Sequence, residues 1–103
     1  MFVLRRKYVM NDFSNLNYLP SEIKLLIVNG QTLVNDAREK IQSRKYYFDL
    51  TSKMQLKSDC KEVERYIKLI SKGKLNDKNK EALKIAITRL HTTLEGLINF
   101  YER

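Results

Sequence analysis

The residue types that carry most enzyme chemistry are sparse in this sequence of 103 residues. It holds one histidine, His91, and one cysteine, Cys60. A histidine that acts as a general acid or base needs a positioned partner and a pocket, whereas His91 falls on the outward face of a predicted helix. Glu62 and Glu64 are two residues apart, so their carboxylates do not share a helix face. We therefore expect no catalytic residues and no enzyme activity.

Cys60 allows two interpretations. In the first turn of a helix that is predicted to begin at Asp59, its thiol pKa would be lowered by the helix N-terminus. A lone cysteine is more often a small buried hydrophobic residue, and the absence of a second cysteine in the sequence favours that structural role. One cysteine also excludes an internal disulfide and a zinc site of several thiolates, and it suits a cytoplasmic location.

The sequence lacks the recurring motifs for phosphate, dinucleotide and metal binding. No G-x-x-x-x-G-K-[ST], G-x-G-x-x-G, H-E-x-x-H or D-x-D-x-D-G pattern occurs in it. No apolar run approaches the roughly 18 residues of a membrane span, and residues 1–10 contain no secretory apolar segment. We expect no cofactor, no metal ion and no membrane-spanning helix.

The chain is strongly basic, with 20 Lys and Arg residues against 12 Asp and Glu residues and a formal net charge of +8. This balance favours a nucleic-acid partner, but the excess is spread along the chain rather than concentrated on one stripe. The composition is also typical of an AT-rich genome, such as that of a low-GC bacterium or its phage. The charge is densest in two places, residues 5–7 and the junction of the second and third predicted helices. The junction is the better candidate for binding an anion, and it comprises Lys68, Lys72, Lys74, Lys78, Lys80 and Lys84.

Two nucleic-acid interpretations follow from these charges. In a helix-turn-helix, Lys78, Asn79 and Lys80 at the start of the third helix would enter the major groove. Alternatively, a basic patch precedes Tyr46-Tyr47 and mixes cations with aromatic rings as single-strand binding proteins do. It comprises Arg38, Lys40, Arg44 and Lys45. Against the second interpretation, Tyr47 and Phe48 fall on the predicted core stripe.

The sequence has three glycines and one proline, too few turn residues for an all-β fold. Apolar residues instead recur at helical spacing after Pro20, which suits the first position of a helix. This helix is predicted to end near Asp49, or to continue to about Leu56. A competing hypothesis makes Asn29-Gly30 a hairpin turn. If the helix is right, Gly30 marks the close approach of another helix backbone.

Asp59 and Glu62 have the spacing of a capping box, which predicts a second helix of about 13 residues that ends at Lys72-Gly73. Asn76 or Asp77 is predicted to cap a third helix that runs nearly to the C-terminus. Short connections favour antiparallel neighbours. We therefore predict an all-α fold, a small antiparallel three-helix bundle with long first and third helices and a short second helix. Residues 1–103 would form one domain, with residues 1–19 as a short helical or irregular extension.

A short second helix cannot cover two longer neighbours, so some apolar side chains off the main stripes are expected at the surface: Leu25, Val28, Tyr46 and Ile98. Either residues 1–19 cover these side chains, or they bind a protein partner or a second copy of the chain. We expect a non-catalytic binding protein, namely an adaptor, inhibitor, chaperone or regulator. The alternatives are a DNA- or RNA-binding regulator that uses the junction lysines, and a membrane-surface or toxin-immunity protein.

Overall fold

The computed structural model of the protein describes residues 19–102, which form three α-helices. Helix α1 spans Ser21–Gln42, helix α2 spans Leu50–Ser71 and helix α3 spans Asp77–Tyr101. No strand occurs among these residues, and the predicted small all-α bundle is confirmed. The predicted extension falls outside the described residues except for Leu19, which is buried in the core.

Contacts between the helices establish an up-down-up arrangement. Glu22 at the start of α1 is 3.4 Å from Lys80 at the start of α3, so these two helices run parallel. Arg38 near the end of α1 reaches Glu64 of α2. The connections, residues 43–49 and 72–76, are short, and α2 therefore runs antiparallel to both neighbours. None of the three helices is long and apolar enough to cross a lipid bilayer.

The boundary between α1 and α2 differs from the prediction. Helix α1 ends at Gln42, well before Asp49, and α2 begins at Leu50 rather than at Asp59. The Asp49 side chain accepts a hydrogen bond of 2.7 Å from the Ser52 amide, and this cap starts the helix. Asp59 lies inside α2 and is buried, so it caps nothing. The short second helix was therefore wrong, because α2 has 22 residues, as many as α1.

The predictions for the end of α2 and the start of α3 are confirmed. Gly73 adopts φ 95°, a left-handed conformation that favours glycine, and the Lys74 amide donates to the Leu69 carbonyl. Asn76 caps α3 by accepting from the Asn79 amide at 2.8 Å. Backbone conformation and side-chain capping together fix the tight turn between the two helices.

The core is one cluster to which all three helices and the first connection contribute. Gly30 lies inside α1 and is buried, so the hairpin hypothesis is wrong. A β-carbon at Gly30 would be 3.0 Å from the Cδ1 atom of Ile87 and 3.2 Å from a Cγ atom of Val63. Side chains of α2 and α3, rather than a helix backbone, therefore occupy the space beside Gly30. The buried apolar residues are Leu19, Ile23, Ile27, Val34, Ala37, Tyr46, Phe48, Leu56, Cys60, Val63, Ile70, Leu83, Ala86, Leu90 and Leu94.

Candidate functional site

The four predicted protein-interaction residues divide into two pairs in the structure. Leu25 and Val28 are exposed on the outer side of α1. Tyr46 is buried, and Ile98 is half-buried against the core. The prediction that Tyr46 and Ile98 lie at the surface was wrong. Tyr46 belongs to an extended connection rather than to a helix, and Ile98 completes the inner face of α3.

The connection between α1 and α2 alternates between core and solvent, as extended backbone does. Tyr46 and Phe48 point inward, with ring centroids 5.7 Å apart, whereas Tyr47 between them is 75% exposed. The Phe48 ring also packs against Tyr101 at 5.3 Å. Tyr101 donates a hydrogen bond from its hydroxyl to the Tyr47 carbonyl. The last turn of α3 is thereby tied to this connection, and Tyr47 is directed to solvent instead of the predicted core.

Four large apolar side chains at this end of the bundle are more than three-fifths exposed. Besides Tyr47, they are Leu50 at 72%, Met54 at 61% and Phe100 at 63% exposure. Leu50 and Met54 are four residues apart in the first two turns of α2 and share a face. Phe100 stands beside Tyr101, with ring centroids 5.2 Å apart. We refer to Tyr47, Leu50, Met54 and Phe100 as the apolar end.

The apolar end was not predicted from the sequence. A first helix that continues past Asp49 to about Leu56 would place Met54 on its inner apolar stripe, whereas the break at residues 43–49 changes the helix phase and leaves Met54 outside. The available signal was Asp49 itself, directly before Leu50, because aspartate is among the preferred N-cap residues. A helix that begins at Leu50 places Leu56, Cys60 and Val63 inside, as the structure does, and leaves Leu50 and Met54 outside.

The charges beside the apolar end are mostly positive. Lys53 lies three residues after Leu50, and Lys57 lies three residues after Met54. Arg44 and Lys45 precede Tyr47 in the chain. The two nearby carboxylates are already engaged. Asp49 caps α2, while Glu102 accepts a hydrogen bond from Tyr46 and lies 3.7 Å from the Lys45 ammonium.

A groove of about 220 Å³ lies between the C-terminal half of α1 and α2. Its lining residues are Arg38, Ile41, Gln42, Lys57 and Lys61. The Arg38 guanidinium donates two hydrogen bonds to the Glu64 carboxylate, at 2.7 and 2.8 Å, and this interaction raises the pKa of Arg38. Lys57 and Lys61 make no ion pair within residues 19–102. We call this feature the basic groove.

The six junction lysines are partly neutralised. Lys80 pairs with Glu22 at 3.4 Å and Lys84 with Glu81 at 3.7 Å. The other four are exposed around the Gly73 turn and form no ion pair with another described residue: Lys68, Lys72, Lys74 and Lys78. The structure thus brings four of the six predicted anion-binding residues to one end of the bundle, opposite the apolar end.

The two residues with catalytic potential lie apart. His91 is exposed on α3, whereas Cys60 is fully buried in the middle of α2, so its predicted position in a first helical turn was wrong. Burial raises the pKa of the Cys60 thiol to about 11, although the nearby Arg38 charge acts in the opposite direction. Among residues 19–102, no group of three or more His, Cys, Asp or Glu side chains could hold a metal ion.

Comparison of the chain with models of protein families, with curated protein sequences and with solved structures gives no significant match. The function must therefore be inferred from the chain's own surface, above all from the apolar end and the basic residues beside it.

Proposed function

We propose that the chain is a small, non-catalytic helical binding protein whose partner is another protein. The observation that carries this proposal is the apolar end, where Tyr47, Leu50, Met54 and Phe100 are each more than three-fifths exposed. Large apolar side chains at one place on a small protein are typical of interaction sites. The backbone of Tyr47 is held by the buried Tyr46 and Phe48 side chains on either side of it and by the Tyr101 hydrogen bond to its carbonyl, and the other three residues lie in helices.

The chemistry of the described residues supports a binding role over catalysis. The Cys60 thiol is buried and protonated at neutral pH, because its pKa is raised to about 11, and a thiol nucleophile acts as the thiolate. His91 is exposed and makes no hydrogen bond with another described residue, so no neighbour orients it for general acid or base work. A free, buried cysteine is also compatible with the cytoplasmic location that we propose.

The charges favour a partner that is apolar at its centre and acidic at its border. Arg44, Lys45, Lys53 and Lys57 would face such acidic groups, and charge complementarity of this kind speeds association. In a symmetric dimer through the same surface, like charges would oppose one another. Leu50 and Met54 also favour protein over single-stranded nucleic acid, because bases stack on aromatic rings rather than on aliphatic side chains.

A pair of matched variants tests this proposal. Leu50→Asp/Met54→Asp places two charges in the apolar end, and Leu25→Asp/Val28→Asp places two on the outer side of α1. We expect affinity capture from the source cells to retain a protein with the wild type and with the α1 variant, and to lose it with the α2 variant. Circular dichroism controls for folding.

Other outcomes of this capture would contradict the proposal. Identical captured material with both variants would exclude the apolar end. Loss on nuclease treatment would point to a nucleic acid, and self-association of the purified wild type that the α2 variant abolishes would point to a homodimer. Loss with the α1 variant alone would move the interaction surface to Leu25 and Val28.

A second candidate function rests on the four unpaired lysines around the Gly73 turn. Lys68, Lys72, Lys74 and Lys78 could contact phosphates of DNA or RNA, which hold a protein without reading sequence. In that case, affinity for a labelled duplex should fall steeply as salt rises, and Lys72→Gln/Lys74→Gln should reduce the salt dependence. Lys53→Gln/Lys57→Gln, the matched change at the opposite end, should have the smaller effect.

A further inference from the structure

The basic groove is continuous with the apolar end along one side of α2. Leu50, Met54, Lys57 and Lys61 follow one another at spacings of four, three and four residues, which keeps them on one face of a helix. All four side chains are exposed. The face extends about 16 Å, since each helical residue advances about 1.5 Å. It changes from apolar in the first two turns to basic in the next two.

The basic half of this face is a groove between two helices rather than an open row of lysines. Arg38 and Gln42 of α1 form the wall opposite Lys57 and Lys61, with Ile41 beside them. Arg38 is held in place by its two hydrogen bonds to Glu64 and is largely neutralised by it. Lys57 and Lys61 are like charges four residues apart, and such pairs repel each other. An anion between them would relieve this repulsion and accept hydrogen bonds from both ammonium groups.

We propose that the basic groove receives an acidic side chain of the same partner protein that docks on the apolar end. This inference rests on the proposed function. The partner presents apolar side chains to Leu50 and Met54, and a carboxylate about two helical turns further along to Lys57 and Lys61. An amphipathic segment with this order of side chains matches the face in length and in charge, because helical grooves take up partner helices through such spaced anchors.

Site-specific photo-crosslinking in the source cells tests this arrangement. p-Benzoylphenylalanine replaces Gln42, which leaves all three cations of the groove in place, and in a second chain it replaces Met54. A third chain carries it at Glu95, an exposed position on α3, as the control. We expect Gln42 and Met54 to crosslink to one and the same protein. The peptide attached at Gln42 should contain Asp or Glu close to the crosslinked residue.

Charge variants test whether the lysines of the basic groove are needed for the crosslink at Gln42. Lys57→Gln/Lys61→Gln should lower the yield at Gln42 roughly tenfold, as expected for removal of two charges that pair with the partner. Lys68→Gln/Lys72→Gln removes a lysine pair of the same spacing near the other end of α2 and should leave the yield unchanged. Lys57→Arg/Lys61→Arg should retain the adduct, because the charge is kept.

The possible failures of the two proposals differ. If Met54 crosslinks to a protein while Gln42 does not, or if the Gln42 adduct is indifferent to Lys57→Gln/Lys61→Gln, the groove proposal is wrong and the apolar end stands. If neither position crosslinks to a protein, both proposals are wrong. A Gln42 adduct with nucleic acid or lipid would also overturn the groove proposal, since the anion would then come from another source.

Discussion

Tyr46 donates a hydrogen bond from its hydroxyl to a carboxylate oxygen of Glu102 at 2.8 Å. The two residues are 56 positions apart, and their contact joins the connection between α1 and α2 to the C-terminal end of α3. Tyr46 itself is buried, and Glu102 also lies 3.7 Å from Lys45. Together with the contacts of Tyr101 to Phe48 and to the Tyr47 carbonyl, this hydrogen bond joins the connection to α3 at the apolar end.

Tyr46→Phe should therefore destabilise the protein although the change removes only one oxygen atom. The ring packing against Phe48 remains, and the free energy of unfolding should fall by about 1 kcal/mol, the usual net value of one hydrogen bond. Tyr66→Phe is the matched control, because the one hydrogen bond of the Tyr66 hydroxyl among residues 19–102 comes from the exposed Arg65. Urea denaturation measures both. Equal stability of the two variants would show that the Tyr46 contact does not hold this end.

Gly30 and Gly96 offer a comparison of two helical glycines in different surroundings. Gly96→Ala places a methyl group in open space and should stabilise the protein by about 0.5–1 kcal/mol through helix propensity. Gly30→Ala gains the same propensity but brings the methyl group within 3.0 Å of Ile87 and 3.2 Å of Val63. We expect this variant to be no more stable than the wild type.

The role of Ile87 in this comparison can be isolated. Ile87→Val removes the Cδ1 atom that lies closest to the new methyl group. A double-mutant cycle of Gly30→Ala with Ile87→Val should therefore show favourable coupling. If Gly30→Ala stabilises the protein as much as Gly96→Ala does, the helices are packed less closely around Gly30 than the distances indicate.

The fold could be predicted where chemistry marks a helix end, and it could not where the mark is weak. Gly73 and Asn76 set the α2–α3 turn through a left-handed backbone and a side-chain cap, and both were identified from the sequence. The connection of residues 43–49 contains no glycine or proline, and its aromatic side chains fit the apolar stripe of a first helix that continues beyond Gln42. The alternation of Tyr46, Tyr47 and Phe48 between core and solvent depends on tertiary packing against α3.

The residues of the candidate site were likewise predicted correctly only where the sequence marks a helix end clearly. Leu25 and Val28 were correctly placed outside because α1 begins where Pro20 predicted. The apolar end was missed because its exposure depends on where α2 starts, and Asp59 at a capping-box spacing competed with the real cap at Asp49. Burial of Asp59 cannot be read from local sequence, since an aspartate is seldom placed in a core.

The cap at Asp49 gives a dependence of stability on pH. The Ser52 amide and side chain donate hydrogen bonds to the Asp49 carboxylate and lower its pKa in the folded protein. A lowered folded pKa adds stability above the unfolded value of about 3.9, and this stability is lost as the pH falls through the folded pKa. Asp49→Asn keeps a capping side chain but does not titrate, so its acid denaturation should lack this component. Thermal melts between neutral and acid pH measure the difference.

The buried Asp59 carries one carboxylate oxygen that has a partner and one that has none. Its Oδ1 atom accepts from Gln55 at 2.9 Å, and its Oδ2 atom has no hydrogen-bond partner among the described residues. An unpaired buried polar atom costs about 1–3 kcal/mol, and alanine is the better helix former. We expect Asp59→Ala to raise the free energy of unfolding by about 1 kcal/mol.

Asp36→Ala is the control for this prediction. Asp36 also lies within a helix, but it is more exposed and pairs with Lys40 at 2.8 Å. It has the same gain in helix propensity and no buried unpaired oxygen, so its effect on stability should be the smaller one. Loss of stability in Asp59→Ala would indicate that the buried carboxylate is needed, for example to fix the packing of α2.

Cys60 provides a measure of how the bundle opens. Its thiol is fully buried, and burial raises its pKa to about 11, so native protein at slightly alkaline pH should react with a thiol reagent only through unfolding. The labelling rate should rise with urea in proportion to the unfolded fraction. A raised folded pKa also means that stability declines as the pH rises from about 8.5 toward the folded value, because the unfolded thiol ionises first. Rapid, stoichiometric labelling of native protein would contradict the burial of Cys60 between the helices.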